Sequence, residues 1–220
     1  MNFHLFSKIA VCTILTLSAG FWLSGAEAPK KHAKAVKTVK NIVLDGKLDE
    51  DAWKAAPAQT GFEKPLGATG KRSPIPADTQ TTFKALYTDK ALYFGVICKE
   101  PHTDKLKTKA GHPPWDAAVW GDDSVEFFMD PVGDRMEYYQ LGINFDGAQS
   151  DLYFIEAGNT GSGKWSADWD AATFVGKDYW SAEIRFPFSA FNNRPSSMWS
   201  DTWVLSVCRT RRAADPKYYS

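Results

Sequence analysis

The residues best equipped for chemistry fall in one stretch, Trp120-Gly121-Asp122-Asp123-Ser124-Val125-Glu126-Phe127-Phe128-Met129-Asp130. In a β-strand, Asp123, Val125, Phe127 and Met129 share one face and Ser124, Glu126 and Phe128 the other. The first set reads as core, so the carboxylate of Glu126 emerges on the opposite face, with Trp120 presented just before the strand. An indole beside a carboxylate suits a sugar: the ring stacks on C–H groups, and the carboxylate accepts hydroxyl hydrogen bonds that its charge strengthens. A half-buried Trp and a solvated Glu on an ordinary strand is the plainer alternative, and spacing alone leaves both open. Trp115 in the preceding loop, and Gln140 and Asn144 on the next predicted strand, are further candidates for the same ligand.

Catalysis has less to stand on. Asp123 and Glu126 lie on opposite faces of one strand and cannot flank a glycosidic bond, which requires carboxyl groups about 5–5.5 Å apart in retaining enzymes. Glu183, on a later strand, is the one carboxylate that could partner Glu126 in a glycoside hydrolase. There is no nucleophile elbow, phosphate loop or Cys/His metal signature. Calcium is the metal to consider, because Asp45, Asp49, Glu50 and Asp51 form an oxygen-rich turn, with Asp122 and Asp130 as further ligands. Turn formation and helix capping explain the first cluster equally well. His32, His102 and His112 sit in the linker or loops, and no pair suggests axial ligation of haem.

The elements that must position these residues are strands. The chain carries 26 basic and 26 acidic residues in 220, which gives no concentrated basic face for nucleic acid. Its 9 Trp, 8 Tyr and 14 Phe exceed what a core needs and leave rings for a stacking surface. Residues 1–26 read as a signal peptide: Lys8 is the positive region, Ile9 to Leu23 the apolar one, and Ser24-Gly25-Ala26 the cleavage site. That apolar stretch falls short of the ~20 residues a membrane span needs. No later segment is long and apolar enough, so the mature chain is expected to be secreted or periplasmic, without a membrane span. Residues 27–40 form a basic linker. From 41 to 220 the pattern predicts one domain: a strand at Ile42-Val43-Leu44, and a helix from Glu50 to Ala55 capped by Asp49, with Trp53 turned to the core. Strands follow at 81–87, 92–98, 124–129, 138–145, 151–155, 174–175, 180–186 and 203–210, with loops at 64–78 and 101–121 and a flexible loop at 158–163. The fold class is all-β, an antiparallel β-sandwich with one short N-terminal helix. Cys98 and Cys208 are available for a disulfide in an exported protein, or are small buried hydrophobes.

Four ordered blocks resemble family 9 carbohydrate-binding modules: residues 42–53 (IVLDGKLDEDAW), 83–97 (FKALYTDKALYFGVI), the Trp120–Asp130 strand and 180–188 (WSAEIRFPF). The resemblance implies a β-sandwich that binds a polysaccharide or oligosaccharide without catalysis, structural calcium, and association with a glycoside hydrolase whose substrate it helps to reach. It makes Trp120 one wall of an aromatic sandwich and Glu126 a hydroxyl-binding carboxylate. Two departures stand out. Where sugar-binding members carry an arginine on the next strand, this chain has Gly142. The second sandwich Trp is expected after the last strand, yet the sequence given ends at Tyr218-Tyr219-Ser220, so this reading expects a C-terminal truncation or weak binding. Rival readings are a haem-binding electron carrier of a related sandwich superfamily, a glycoside hydrolase, and a structural scaffold.

Overall fold

A computed structural model describes residues 2–5, 31–64, 72–109, 114–162 and 165–213. In chain order the strands are β1 (Asn2–Leu5), β2 (Lys31–Lys34) and β3 (Val36–Lys37), followed by helix α1 (Asp51–Ala55). Then come β4 (Glu63–Lys64), β5 (Ser73–Pro74), β6 (Thr81–Tyr87), β7 (Ala91–Lys99), β8 (Ser124–Asp130), β9 (Tyr138–Asn144) and β10 (Gln149–Ile155). The chain closes with β11 (Thr160–Ser162), β12 (Asp170–Val175), β13 (Tyr179–Pro187) and β14 (Thr202–Thr210). One sheet has the order β11-β10-β9-β8-β14-β1-β2, the other β12-β13-β7-β6-β3, and β4 pairs with β5 alone. Pairing is antiparallel except β1 with β14 and β3 with β6.

Period-two alternation explains the layering. Val125, Phe127 and Met129 of β8 point inward beside Tyr139, Leu141 and Ile143 of β9, and meet Phe94 and Val96 of β7 and Ile184 and Phe186 of β13 in one buried cluster. Phe94 and Phe127 stack across the two sheets with centroids 4.4 Å apart. Most of the tryptophan is spent here: Trp53, Trp165, Trp169, Trp180 and Trp203 are buried, Trp199 and Trp120 are half-buried, and Trp115 is exposed, while Trp22 lies outside the described residues. Of the described tryptophans, three therefore keep exposed surface: Trp115, Trp120 and Trp199.

Several expectations are corrected. Residues 42–44 are not a strand, because carboxylates rather than a neighbouring strand take the local donors. Val43 N donates to Glu50 Oε1, and Asp45 N and Gly46 N both donate to Glu183 Oε2. Asp49 does not cap the helix; Glu50 holds that position without a side-chain cap. The basic segment is not all tether: Ala33 and Ala35 are buried, and their alternation lets β2 join one sheet and β3 the other. Residues 160–162 form β11 rather than a loop. Cleavage after Ala26 would remove β1 and uncover the edge of β14 that it pairs with. Cys98 is in the core between the sheets, whereas Cys208 lies on the outer face of β14 opposite Glu126, so both are free thiols and no disulfide forms. Burial pushes each thiol up to about 11.

Glu183 points outward from the five-stranded sheet and fixes the N-terminal segment across it. Besides the two backbone amides it accepts Trp53 Nε1–H at 2.6 Å. Gly95, its cross-strand neighbour, leaves the room: a Cβ there would lie 2.4 Å from Leu48 Cδ2 and 3.1 Å from Trp53 Cη2. Replacing Glu183 with Ala leaves three donors without their acceptor, and buried groups stranded in this way cost about 1–3 kcal/mol each. Urea denaturation of Glu183→Ala is expected to show a loss of at least about 3 kcal/mol; a loss under about 1 kcal/mol would contradict this anchoring role.

Candidate functional site

Trp120 is presented by a 3-10 turn, Val119–Gly121, that closes with Asp122 N donating to Val119 O. Two buried aspartates hold the turn against β8. Asp122 accepts Lys109 N through Oδ1, and Asn144 Nδ2 and Thr108 Oγ1 through Oδ2. Asp123 accepts Arg212 N and Ala213 N through Oδ1 and Lys107 N through Oδ2. The Asp-Asp pair in the sequence is thus a clamp joining the loop, β8 and the end of β14. Clamped this way, the indole packs beside Ala117, Val119 and Ala148 and does not enter the core.

The ring is seated on Gly142. An ideal Cβ on Gly142 would stand 2.8 Å from Val119 Cγ2 and 3.2 Å from Trp120 Cζ3. Gly142 is the direct cross-strand partner of Glu126, and opposed positions have Cβ atoms about 4.5–5.5 Å apart. The indole and the carboxylate are therefore neighbours on the outer face of the seven-stranded sheet. The departure at Gly142 gains a structural meaning, since the space an arginine would need is occupied by Val119 and Trp120.

Glu126 is half-buried, and among the described residues it accepts one hydrogen bond, from Gln140 Nε2 to Oε2 at 2.8 Å. Burial raises its proton affinity above the ordinary glutamate range, and the Gln140 amide offsets this only in part. The other sheet carboxylates are better provided. Asp130 accepts three backbone N–H groups from Val132, Gly133 and Arg135, Glu183 accepts three donors, and Glu100 is held by Arg209 and Arg211. Among the described strand carboxylates, Asp151 leaves its buried Oδ1 without a partner inside the sandwich, and Glu126 accepts a single hydrogen bond on the outer face.

The remaining candidates separate. Gln140 joins the site as the partner of Glu126. Asn144 does not: it is fully buried, its amide donates to Thr108 and Asp122, and its Oδ1 accepts Asp146 N and Ala148 N, which tightens the β9–β10 turn. Trp115 packs edge-on against Trp169, whose indole N–H donates to the inward-facing Asp151, so it belongs to the sandwich rim rather than to the face carrying Trp120. The three aspartates expected to bind calcium do not converge. Asp45 is paired with Lys47 and lies against the five-stranded sheet; Asp49 shares no ligand cluster with it; Asp122 is saturated by protein donors beside the other sheet. Among the described residues no group of three or more His, Cys, Asp or Glu could hold a metal ion, so these residues do not fit a calcium site. Glu183 cannot partner Glu126, because the two point outward from opposite sheets and such layers pack about 10 Å apart. His32 lies on β2 and His102 in the turn after β7, while His112, Tyr218 and Tyr219 lie outside the described residues. No described helix is long and apolar enough to cross a membrane.

A family profile described as "Carbohydrate family 9 binding domain-like" matches residues 44–200. No curated protein matches the chain. Among solved structures the chain is similar to a family 9 carbohydrate-binding module from Caldicellulosiruptor kristjanssonii in complex with cellotriose, at 19% identity and TM-score 0.48, over 71% of this chain and 68% of that one. It is also similar to a family 9 module from the same organism in complex with glucose, at 16% identity and TM-score 0.47, over 84% of this chain and 100% of that one.

The seating of Trp120 can be tested directly. Gly142→Ala forces Val119 and the indole to move, at a cost of about 1–3 kcal/mol for overpacking, while far-UV circular dichroism stays unchanged. Near-UV dichroism and tryptophan emission are expected to shift in Gly142→Ala and not in the Gly142→Ala/Trp120→Phe double variant; an unshifted single variant would contradict the seating.

Proposed function

Since the chain belongs to the carbohydrate family 9 binding domain-like family, whose modules bind carbohydrate without catalysis, we propose that Trp120, Glu126 and Gln140 form its sugar site. The observation that carries this assignment is the position of Glu126: an acid with spare lone pairs, half out of water, opposite the glycine on which an indole rests. A pyranose ring laid on the indole brings its equatorial hydroxyls to the carboxylate, and Gln140 orients that carboxylate by holding Oε2. The ligand is a polysaccharide or one of its oligosaccharides. The whole protein acts by attachment rather than bond cleavage. It is exported through its N-terminal leader and raises the local concentration of a partner such as a glycoside hydrolase at the polymer surface.

Binding to an array of polysaccharides is expected for the wild type, with Trp120→Ala weakening it at least about tenfold, as for a central contact residue. Glu126→Gln should weaken binding likewise without loss of stability. The sign follows from the raised proton affinity of Glu126. The folded state holds this proton more tightly than the unfolded chain, so stability declines as the pH rises through the ordinary glutamate range to the folded value. A neutral amide avoids that decline, and the variant should melt at or above the wild-type temperature at neutral pH. Affinity runs the opposite way, because the ionised acid is the stronger acceptor. It should fall on acidification while the pH is still above the ordinary glutamate range, and this dependence should vanish in Glu126→Gln. No glycan binding by the wild type, or a Glu126→Gln variant that binds as tightly as wild type at all pH values, would reject the assignment.

Export has a separate check. N-terminal sequencing of the secreted product is expected to begin at Glu27; a secreted product that retains Met1 would contradict the leader.

A further inference from the structure

We infer that the Trp120–Glu126 site selects a cationic amino sugar, a 2-amino-2-deoxyhexose unit, over its neutral and acidic counterparts. The inference rests on the sugar site proposed above and concerns the charge of the ligand. Glu126 stands on the outer face of the seven-stranded sheet. By register, the side chains sharing that face around Glu126 are Cys208 on β14, Gly142 and Gln140 on β9, and Ser150 on β10. Among the described residues that face outward on β8, β9, β10 and β14 there is no Lys, Arg or His.

A half-buried carboxylate in such surroundings lacks a compensating charge, and its one amide donor cannot supply it. The fully buried glutamates are provided for from within: Glu100 is met by two arginines and Glu183 by three N–H donors, whereas Glu126 has neither a cation nor a full set of donors. At Glu126 the direct cross-strand position that could have provided a cation is glycine, and Val119 and Trp120 fill the space over it. An incoming ammonium would form a charge-assisted hydrogen bond with the carboxylate and gain attraction from the adjacent indole face. A neutral sugar brings hydroxyls alone, and a uronate brings a like charge that the site has no cation to offset.

The test compares four trisaccharides by titration calorimetry on the full 220-residue chain, at a pH slightly below neutral and at low salt. They are a glucosamine trimer, its N-acetylated form, a glucose trimer and a galacturonate trimer. The glucosamine trimer should bind about tenfold tighter than the glucose and N-acetylated trimers, a step of about 1.4 kcal/mol, with the galacturonate trimer weakest. The preference should shrink with added salt. In Glu126→Gln the ratio of glucosamine to glucose affinity should fall towards one, whatever the absolute affinities. Glucose binding as tightly as glucosamine would overturn the charge selection and leave the sugar site standing. Binding of none of the four would remove the site and the selection together.

Discussion

A carboxylate taken out of water must be given donors in return, and much of this molecule's organisation follows from how that demand is met. Asp122 and Asp123 satisfy it with backbone and side-chain donors from three separate segments and thereby fix the turn that carries Trp120. Asp130 satisfies it with the loop that follows β8. Glu183 satisfies it with the N-terminal segment and an indole, which pins that segment over the rear sheet. In each case a buried charge recruits the N–H groups of an irregular stretch that no strand would otherwise satisfy. The loops of the sandwich are ordered by acids as much as by apolar packing.

Against that pattern Glu126 stands out, and the proposed sugar site is built on that difference. Its single amide partner leaves it costly in the free protein, and such a cost is commonly retained where a ligand removes it. The neighbouring aromatic surface is positioned by a different device: Gly142 lends its missing side chain so that an indole can lie close to the sheet. Affinity and stability therefore pull in opposite directions at this face, while the rear sheet and the core, with Phe94 stacked on Phe127, carry the fold independently.

The strand pattern was legible because period-two alternation is strong: the 81–87 strand and the inward set Val125, Phe127 and Met129 follow from it directly. The resemblance in four blocks placed Trp120 and Glu126 together, and strand register bears this out geometrically. What sequence could not yield were relations set by distant partners. Ile42 to Leu44 looks like a strand by composition, but its neighbourhood is decided by Glu183, 137 residues beyond Gly46. Asn144 has the chemistry of a sugar ligand, and only its complete hydrogen bonding withdraws it: Nδ2 donates to Thr108 and Asp122, and Oδ1 accepts twice within the β9–β10 turn. Asp45 and Asp49 belong to the segment laid over the five-stranded sheet and Asp122 stands beside the seven-stranded one, a separation that residue types do not reveal. In the sequence Gly142 marks a missing donor, whereas its role as a seat depends on the cross-strand register.

The segment from Lys31 to Lys37 pairs with one sheet through β2 and crosses to the other through β3. Among the described residues β2 reaches its sheet only through β1, which a cleaved leader would take with it, so in the exported chain a pull applied ahead of this segment falls on the pairing of β3 with β6. Detaching the segment then means breaking those hydrogen bonds and withdrawing Ala33 and Ala35 from between the layers.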